Sequence, residues 1–345
     1  MSNSTADYFI ALSNKLAEEG KVVVITSKIR KTNIALNNDI IILKWPSKRP
    51  TSWKDFLFLC KIVKLHKPHT MISMFSSVNL FIIVGWIFRV KVRIAWIRSL
   101  STQFVQDKKY VYRKALIYRL ATQIITNSIA TKKDASSFYI IKEKKIKVLP
   151  NSVKDYNKTL EEVVVDRNKV VYVGRLHHTK GVDVLIKAIS LLRNKSYDVS
   201  LDIIGGGGFY KKLLELTASL NLLENIRFLG SKTKLDVLKS YKSSYCAVVP
   251  SHSEAFGYTV IESMSVGTCV IGANNTGIKE IIVANKTGLL FETGNVNELA
   301  ACLELILNDV KLRNSLAKSG YKRFQEFYEN SYAINRDYQF IKTLN

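Results

Sequence analysis

The sequence has few of the features that mark secreted, metal-binding or membrane-spanning proteins. Its 345 residues include only four cysteines, which are widely separated and form no CxxC motif. This pattern argues against a disulfide framework or a zinc site and indicates free thiols in a reducing cytoplasm. The longest strongly apolar run, residues 80–88, is far shorter than the roughly 20 residues of a membrane-spanning helix. No signal-peptide pattern opens the chain, which argues against export by that route.

Acidic residues are scarce relative to basic ones, above all in the first half of the chain. The whole sequence has 52 Lys/Arg and 28 Asp/Glu, a formal net charge of +24. Residues 1–150 contain 27 basic and 8 acidic residues, a net charge of +19, whereas residues 151–345 contain 25 and 20. A basic face of this kind attracts nucleic acid, anionic lipid or an acidic substrate. No nucleic-acid-binding motif is present, which argues against the first of these partners.

Two segments of the basic half favour contact with an anionic membrane surface. Residues 53–67 (WKDFLFLCKIVKLHK) and 108–120 (KKYVYRKALIYRL) mix Lys and Arg with aromatic and aliphatic residues, as interfacial helices do. An ordinary Rossmann helix with one buried face and one solvated basic face gives the same pattern. The charge asymmetry favours the membrane, because each basic residue near an anionic leaflet contributes about 1 kcal/mol. We therefore expect a cytoplasmic protein held peripherally on the inner face of the plasma membrane.

Apolar strands alternate with amphipathic helices along the chain, which predicts an α/β fold with parallel sheets. Strands are expected at residues 21–27, 40–43, 70–75, 92–97, 123–127, 147–149, 169–173, 201–204, 226–229, 247–250, 268–271 and 289–291. Helices are expected at residues 4–19, 53–67, 78–90, 108–120, 130–139, 182–192, 297–308, 312–328 and 331–344, with another after the glycine run at 205–208. The polar stretch 151–168 is the expected linker between two domains.

Residues 247–271 (AVVPSHSEAFGYTVIESMSVGTCVI) predict a strand, a loop, a short helix and a second strand. Such a helix points its N-terminus at the carboxyl end of the sheet, so the N–H groups around Phe256 to Thr259 predict an anion site. Glu254 lies in the loop, and Glu262 lies among apolar neighbours, where a carboxylate needs hydrogen-bond donors. Sugar hydroxyls supply such donors. The stretch therefore predicts a nucleotide sugar as ligand.

The setting of these two glutamates resembles the E-x7-E signature of the retaining glycosyltransferases of family 4. The matching residues are Ser251, Glu254, Phe256, Gly257, Glu262, Met264 and Gly267. The resemblance implies the GT-B fold, with two Rossmann-like, doubly wound domains facing a central cleft. It makes residues 1–150 the acceptor-binding domain and 169–328 the nucleotide-sugar domain. It also implies that residues 329–345 form a helix that crosses back to the N-terminal domain.

A second motif, GRLHHTKG at residues 174–181, resembles the family's G-R-L-x-x-x-K-G. Two cations close to the end of a strand, beside a glycine, suit a diphosphate. Arg175 and Lys180 are therefore expected to neutralise the departing nucleotide diphosphate. His177 and His178 occupy the variable part of the motif and are expected to be solvent or loop residues.

The resemblance assigns catalytic roles to Glu254, Arg175 and Lys180, with Glu254 on the donor sugar. The expected donor-binding residues, with Glu262 on the ribose, are Gly174, Gly205, Phe256, Gly257, Tyr258, Thr259 and Glu262. No D-x-D pattern occurs, so we expect no metal and no cofactor beyond the nucleotide-diphosphate sugar itself.

The sequence departs from the family pattern at two places. The family's first strand and glycine-rich loop are not found before the helix TADYFIALSNKLAEEG, which predicts a gap in the first sheet. Either the true start lies upstream of residue 1, which we favour as a hypothesis, or another segment fills the place of that strand. Many relatives carry a histidine just after the strand at 92–97, where this chain has Arg98 and Ser99. Arg98 is the candidate on the acceptor side, although it cannot act as a general base. A solvent-facing arginine is the alternative.

The expected function is retaining transfer of a hexose from a nucleotide-diphosphate donor to a polysaccharide or a lipid-linked glycan. Two alternatives remain open. One is a non-catalytic GT-B relative that binds a nucleotide sugar, and the other is a GT-B sugar epimerase.

Overall fold

The computed structural model describes residues 4–28, 35–101 and 108–344. The chain divides into two compact units. Residues 2–151 together with 331–345 form the unit that we call the N-terminal unit, and residues 152–330 form the C-terminal unit.

The described residues form twelve strands and thirteen α-helices. The strands are β1 (Val22–Thr26), β2 (Ile40–Lys44), β3 (Thr70–Met74), β4 (Val92–Ile97), β5 (Gln123–Thr126), β6 (Ile146–Val148), β7 (Asp166–Val173), β8 (Ser200–Ile204), β9 (Ile226–Gly230), β10 (Ser244–Val249), β11 (Cys269–Ala273) and β12 (Leu289–Phe291). The helices are α1 (Ser4–Leu16), α2 (Trp53–His66), α3 (Val78–Ile87), α4 (Lys108–Leu120), α5 (Ile129–Tyr139), α6 (Val182–Asn194), α7 (Tyr210–Ser219), α8 (Lys234–Ser243), α9 (Tyr258–Met264), α10 (Ile278–Ile281), α11 (Val296–Asn308), α12 (Val310–Phe327) and α13 (Asn330–Lys342).

The N-terminal unit contains two parallel ladders. β1 pairs with β2, and β3, β4, β5 and β6 pair in that order. Within the described residues, β1 and β3 are not hydrogen-bonded to each other, so the direct pairing that would contradict the expected gap is not found.

Helices cover both faces of the four-stranded sheet. Its strands follow one another in a single direction, so right-handed crossovers place α3, α4 and α5 on one face. Their apolar core includes Val78, Ile82, Ala95, Ala115, Ile124 and Tyr139. On the other face α1 and α13 pack over Ile94, Trp96 and Ile125 through Tyr8, Leu12, Ala333 and Ile341.

α13 is tied to the N-terminal unit by a buried polar group as well as by apolar packing. The Tyr8 hydroxyl donates to Asp337, whose other carboxylate oxygen lies 2.6 Å from Nε of Arg336. Arg336 also donates to the carbonyl of Pro150, at 2.9 Å. A buried carboxylate needs such donors, and these three groups fix the position of the helix.

The C-terminal unit is built on a six-stranded parallel sheet in the order β12-β11-β10-β7-β8-β9. From β7 the chain builds outward through β8 to β9, and it then returns to the other side of β7 with β10. The direction therefore reverses between β7 and β10. Open α/β sheets bind ligands at the carboxyl ends of the strands beside such a reversal.

Most element bounds agree with the sequence expectations to within about three residues. The strands at 92–97 and 289–291 and the helix at 108–120 are confirmed to the residue. β7 begins at Asp166, three residues earlier than expected, and the first helix ends at Leu16 rather than at residue 19. The helices α8 and α10 were not among the expected elements. No helix among the described residues is long and apolar enough to cross a bilayer.

Candidate functional site

Two loops meet at the reversal point of the C-terminal sheet. One follows β7 and carries residues 174–181, and the other follows β10 and carries residues 250–257. The amide of His252 donates to the carbonyl of Thr179 at 2.9 Å and joins them. Gly181 has φ +63°, and a Cβ there would lie 2.1 Å from the carbonyl oxygen of Pro250. The close contact between the loops therefore requires glycine at this position.

Lys180 and Glu254 form an ion pair across these two loops. The Lys180 Nζ lies 2.5 Å from Oε2 of Glu254, and the side chains are only 17% and 19% exposed. The backbone of Glu254 is held as well, because its carbonyl accepts from Thr276 Oγ1 at 3.0 Å and from the amide of Gly277 at 3.1 Å. A cation and a carboxylate expected to act together are thus in direct contact.

Arg175 lies in the same loop as Lys180, two residues after the end of β7. Its carbonyl accepts a 3.0 Å hydrogen bond from the hydroxyl of Tyr172, and its own side chain is exposed. Burial raises the pKa of Tyr172, the charge of Glu254 raises it further, and the charge of Arg175 partly offsets the rise. The charges of Arg175 and Glu254 thus have opposite effects on the pKa of the same phenol.

Glu262 forms a second ion pair, with Lys234 at the start of α8. The two side chains are 13% and 17% exposed, and the ammonium of Lys234 also lies 5.6 Å from the ring centroid of Tyr156. Thr233 caps α8 by accepting from the amide of Asp236, which fixes the turn that carries Lys234. Lys234 therefore donates a hydrogen bond to the Glu262 carboxylate, whereas the sequence predicted sugar hydroxyls as its donors.

Two buried tyrosines, Tyr172 and Tyr241, have pKa values that depend on the glutamates of the two ion pairs. Burial raises the pKa of Tyr241 well above its usual value, and the charges of Glu262 and Tyr172 raise it further. The charge of Glu254 likewise raises the pKa of Tyr172. Lys180, Glu254 and Lys234 follow the carboxyl ends of β7, β10 and β9, and Glu262 lies in α9 after β10, so both ion pairs lie toward the same edge of the parallel sheet.

The expected glycines lie where adjacent strands end. Gly205 follows β8 with φ +141°, and a Cβ there would lie 1.8 Å from the carbonyl oxygen of Gly174. A Cβ on Gly174 would lie 2.5 Å from the hydroxyl of Tyr172. Neither position has room for a side chain, so main-chain atoms line this part of the surface.

The segment from Phe256 to Thr259 leads into α9. Phe256 is buried, with its ring edge-on to Tyr258 at 5.8 Å, so its side chain belongs to the core. Gly257 has φ +109° and precedes the first residue of α9, and Thr259 is partly buried in the first turn. This geometry leaves the backbone, rather than the Phe256 side chain, as the part able to meet an anion.

Arg98 lies in the N-terminal unit, just after β4. Its guanidinium lies over the ring of Phe9, 5.2 Å from the centroid, and its carbonyl accepts from Asn127 Nδ2 at 3.3 Å. The residue is partly buried, and both its assignment to the acceptor side and the alternative of a solvent-facing arginine stay predictions.

Two units built on parallel sheets agree with the GT-B fold, and solved structures have the same fold. The chain superposes on a crystal structure of Alr3699/HepE from Anabaena, in complex with UDP, with a TM-score of 0.79, 15% identity and coverage of 99% of this chain and 96% of that chain. A sucrose-phosphate synthase from Thermosynechococcus elongatus superposes with a TM-score of 0.78, 20% identity and coverage of 99% and 94%.

Sequence comparison gives a more specific match than the fold does. Residues 153–323 match the family model described as "Glycosyl transferases group 1". The chain is 28% identical over 307 residues to the capsular polysaccharide biosynthesis glycosyltransferase CapM of Staphylococcus aureus, covering 83% of this chain and 80% of that protein. It is 30% identical over 186 residues to a D-inositol 3-phosphate glycosyltransferase of Jonesia denitrificans, covering 51% of this chain and 44% of that protein. These matches support a group 1 glycosyltransferase, and the narrower assignment to family 4 stays a prediction.

Proposed function

We propose that this protein transfers a hexose from a nucleotide-diphosphate donor to a polysaccharide or lipid-linked glycan at the cytoplasmic face of the membrane, with retention at the anomeric carbon. The observation that carries the proposal is the pair of lysine–glutamate contacts at one edge of the sheet, Lys180 with Glu254 and Lys234 with Glu262. Paired cations suit a diphosphate, and paired carboxylates suit the hydroxyls on either side of it.

The costly event in such a transfer is departure of the diphosphate from an oxocarbenium-like centre. Fixed positive charge at the leaving group is the main aid to that step. In this proposal Arg175 and Lys180 stabilise the departing diphosphate and Glu254 holds the sugar. Glu262 binds the ribose. Gly174 and Gly205 let the backbone approach the donor, together with the amides from Phe256 to Thr259.

Two relatives guide the choice of donor and acceptor. The Anabaena protein HepE was solved with UDP, with UDP and glucose, and with UDP-glucose. CapM is described as an enzyme of capsular polysaccharide biosynthesis. A uridine-diphosphate hexose is therefore the first donor to test, and a cell-surface polysaccharide precursor is the first acceptor. We propose Arg98 as a residue of the acceptor side.

The test has two stages. Thermal unfolding of the purified protein is first measured with a panel of nucleotide sugars, because a donor at 100 times its dissociation constant stabilises the folded state by about 2.7 kcal/mol. The stabilising donor is then incubated with lipid-linked or polysaccharide acceptors, and the product's anomeric configuration is determined. Release of nucleoside diphosphate with a glycosylated acceptor supports the proposal. Donor binding without turnover favours the non-catalytic relative, and isomerised donor favours the epimerase.

A further inference from the structure

The outer surface of α4 carries basic and apolar residues on one stripe. Among the side chains that the structure describes, each exposed residue of α4 has another one three or four positions along the helix, which places them on one side. They are Lys109, Tyr112, Arg113, Leu116 and Arg119. Tyr112 is 68% exposed and Leu116 is 42% exposed. This stripe faces away from the core because the opposite side of α4 packs on the sheet through Ala115 and Tyr118.

A groove of about 440 Å³ runs between α4 and α5 beside this stripe. Most of its lining is apolar, and Arg119 is the charged residue among the lining side chains. The lining residues are Val111, Tyr112, Ala115, Leu116, Arg119, Ser137, Phe138 and Ile140. Ile140, just past the end of α5, is 73% exposed. Large apolar side chains therefore flank an open groove, an arrangement that soluble surfaces generally avoid unless it binds something.

The net charge around the groove is positive. Residues 108–145 contain ten Lys/Arg and two Asp/Glu. Both acidic groups already have partners: Asp134 accepts from Ser101 Oγ at 2.6 Å, and Glu143 lies 3.2 Å from Lys132 Nζ. The surface around the groove is therefore strongly positive, and a binding partner must carry negative charge.

We propose that the α4–α5 surface docks on an anionic lipid bilayer. Tyr112, Leu116 and Ile140 enter the boundary between headgroups and acyl chains, while Arg113 and Arg119 contact lipid phosphates. An amphipathic helix with basic and aromatic residues binds membranes in this way. A second copy of the chain is a poorer occupant, because it would bring two positively charged surfaces together. The segment at residues 53–67, which forms α2, packs against α3 and exposes Trp53.

The inference rests on the proposed function only in that it brings the enzyme to a lipid-linked acceptor. Its test needs neither donor nor acceptor. The full-length protein is sedimented with vesicles of phosphatidylcholine alone or with added phosphatidylglycerol. We expect binding to the anionic vesicles only, weakening as salt is raised. Vesicle binding and glycosyl transfer are thus separate readouts, and either can fail alone.

Two variants test the residues. Arg113→Gln/Arg119→Gln is expected to weaken binding to anionic vesicles about thirtyfold, at roughly fivefold for each neutralised cation. Its charge-matched control, Lys311→Gln/Lys318→Gln, changes exposed lysines of α12 and should bind like the parent. Leu116→Ser/Ile140→Ser is expected to weaken binding about tenfold through lost apolar contact. Its matched control is Leu223→Ser/Leu305→Ser, at exposed leucines of the C-terminal unit.

Thermal unfolding and nucleotide binding are measured on every variant, and both should match the parent. The proposal would be overturned if the arginine variant and the Leu116/Ile140 variant, together called the groove variants, both bound anionic vesicles as tightly as the parent. Equal binding of the parent to neutral and anionic vesicles would also overturn it. A change of oligomeric state in the groove variants with unchanged vesicle binding would also overturn it and assign the groove to a second copy of the chain.

Discussion

The ammonium of Lys180 lies 2.5 Å from Oε2 of Glu254, so the cation proposed for the diphosphate is paired here with the carboxylate proposed for the sugar. Each group holds the other in place while the two remain partly accessible. Charged groups held before the substrate arrives need less reorganisation during the reaction. A donor that places its pyrophosphate near Lys180 and a sugar hydroxyl near Glu254 replaces the contact with two new ones.

Lys180→Ala and Glu254→Ala are each expected to lower kcat by at least about a hundredfold, because each removes a group proposed to act in the transition state. Steady-state transfer with the donor found by the binding screen measures the effect. Lys187→Ala, at an exposed lysine of α6, is the control and should keep parental kcat. Near-parental turnover in either site variant, with the fold intact, would remove that residue from the mechanism.

Lys234 is expected to act on donor binding. Lys234→Ala removes one hydrogen-bond partner of Glu262 and loosens the carboxylate that is proposed to meet the ribose. A hydrogen bond to a charged group contributes about 1.5–3 kcal/mol, so KM for the donor should rise about tenfold or more, with a smaller change in kcat. Lys239→Ala, at an exposed lysine of the same helix, is the matched control. A fall in kcat at unchanged KM would contradict a binding role.

Gly205 and Gly208 give a paired test of the backbone-lined surface. A Cβ at Gly205 would lie 1.8 Å from the carbonyl oxygen of Gly174, and its φ of +141° is unfavourable for any residue with a side chain. Gly205→Ala should therefore destabilise the protein by more than the roughly 1–3 kcal/mol of backbone strain alone. Nothing lies within 4 Å of a Cβ at Gly208, so Gly208→Ala should be nearly neutral. Urea unfolding measures both. Equal free energies of unfolding for the two variants would contradict the close approach of the ends of β7 and β8.

The fold was largely predictable because strand, turn and helix signals are local. The alternation of apolar strands with helices gave the parallel sheets, and the strand at 92–97 and the helix at 108–120 were placed to the residue. The helices α8 and α10 were not predicted. The sequence of α8 is polar and lysine-rich and has only a weakly apolar face, on which Val237 and Leu238 are buried.

The candidate site was predictable only as a set of residues, because ion pairing depends on the tertiary fold. Lys180 and Glu254 are 74 positions apart, and Lys234 and Glu262 are 28 apart. No spacing rule joins such pairs. The sequence predicted a donor for Glu262 from its apolar neighbours, but it could not identify Lys234, which α8 brings to it. The Thr233–Lys234 pair at a helix start was the one available local signal.

Asp55 predicts a dependence of stability on pH in the N-terminal unit. Ser52 caps α2, and Asp55 completes a reciprocal capping box. The buried carboxylate accepts from the amides of Ser47, Thr51 and Ser52 and, at 2.7 Å, from the Ser52 hydroxyl. Burial raises the pKa of Asp55, but the hydrogen bonds from Ser52 and Ser47 outweigh burial and leave the pKa below its usual value.

Because the pKa of Asp55 is lower in the folded than in the unfolded state, its stabilising contribution is present above the unfolded value of about 3.9. The contribution is lost as the pH falls through the folded pKa. Asp55→Asn should therefore cost about 1–2 kcal/mol at pH 7 and progressively less below about pH 4. Urea unfolding of the parent and the variant across this range measures the difference, with Asp39→Asn at an exposed turn as the control. A difference that stays constant down to about pH 3 would show that the charge of Asp55 does not contribute and that only the shape of its side chain matters.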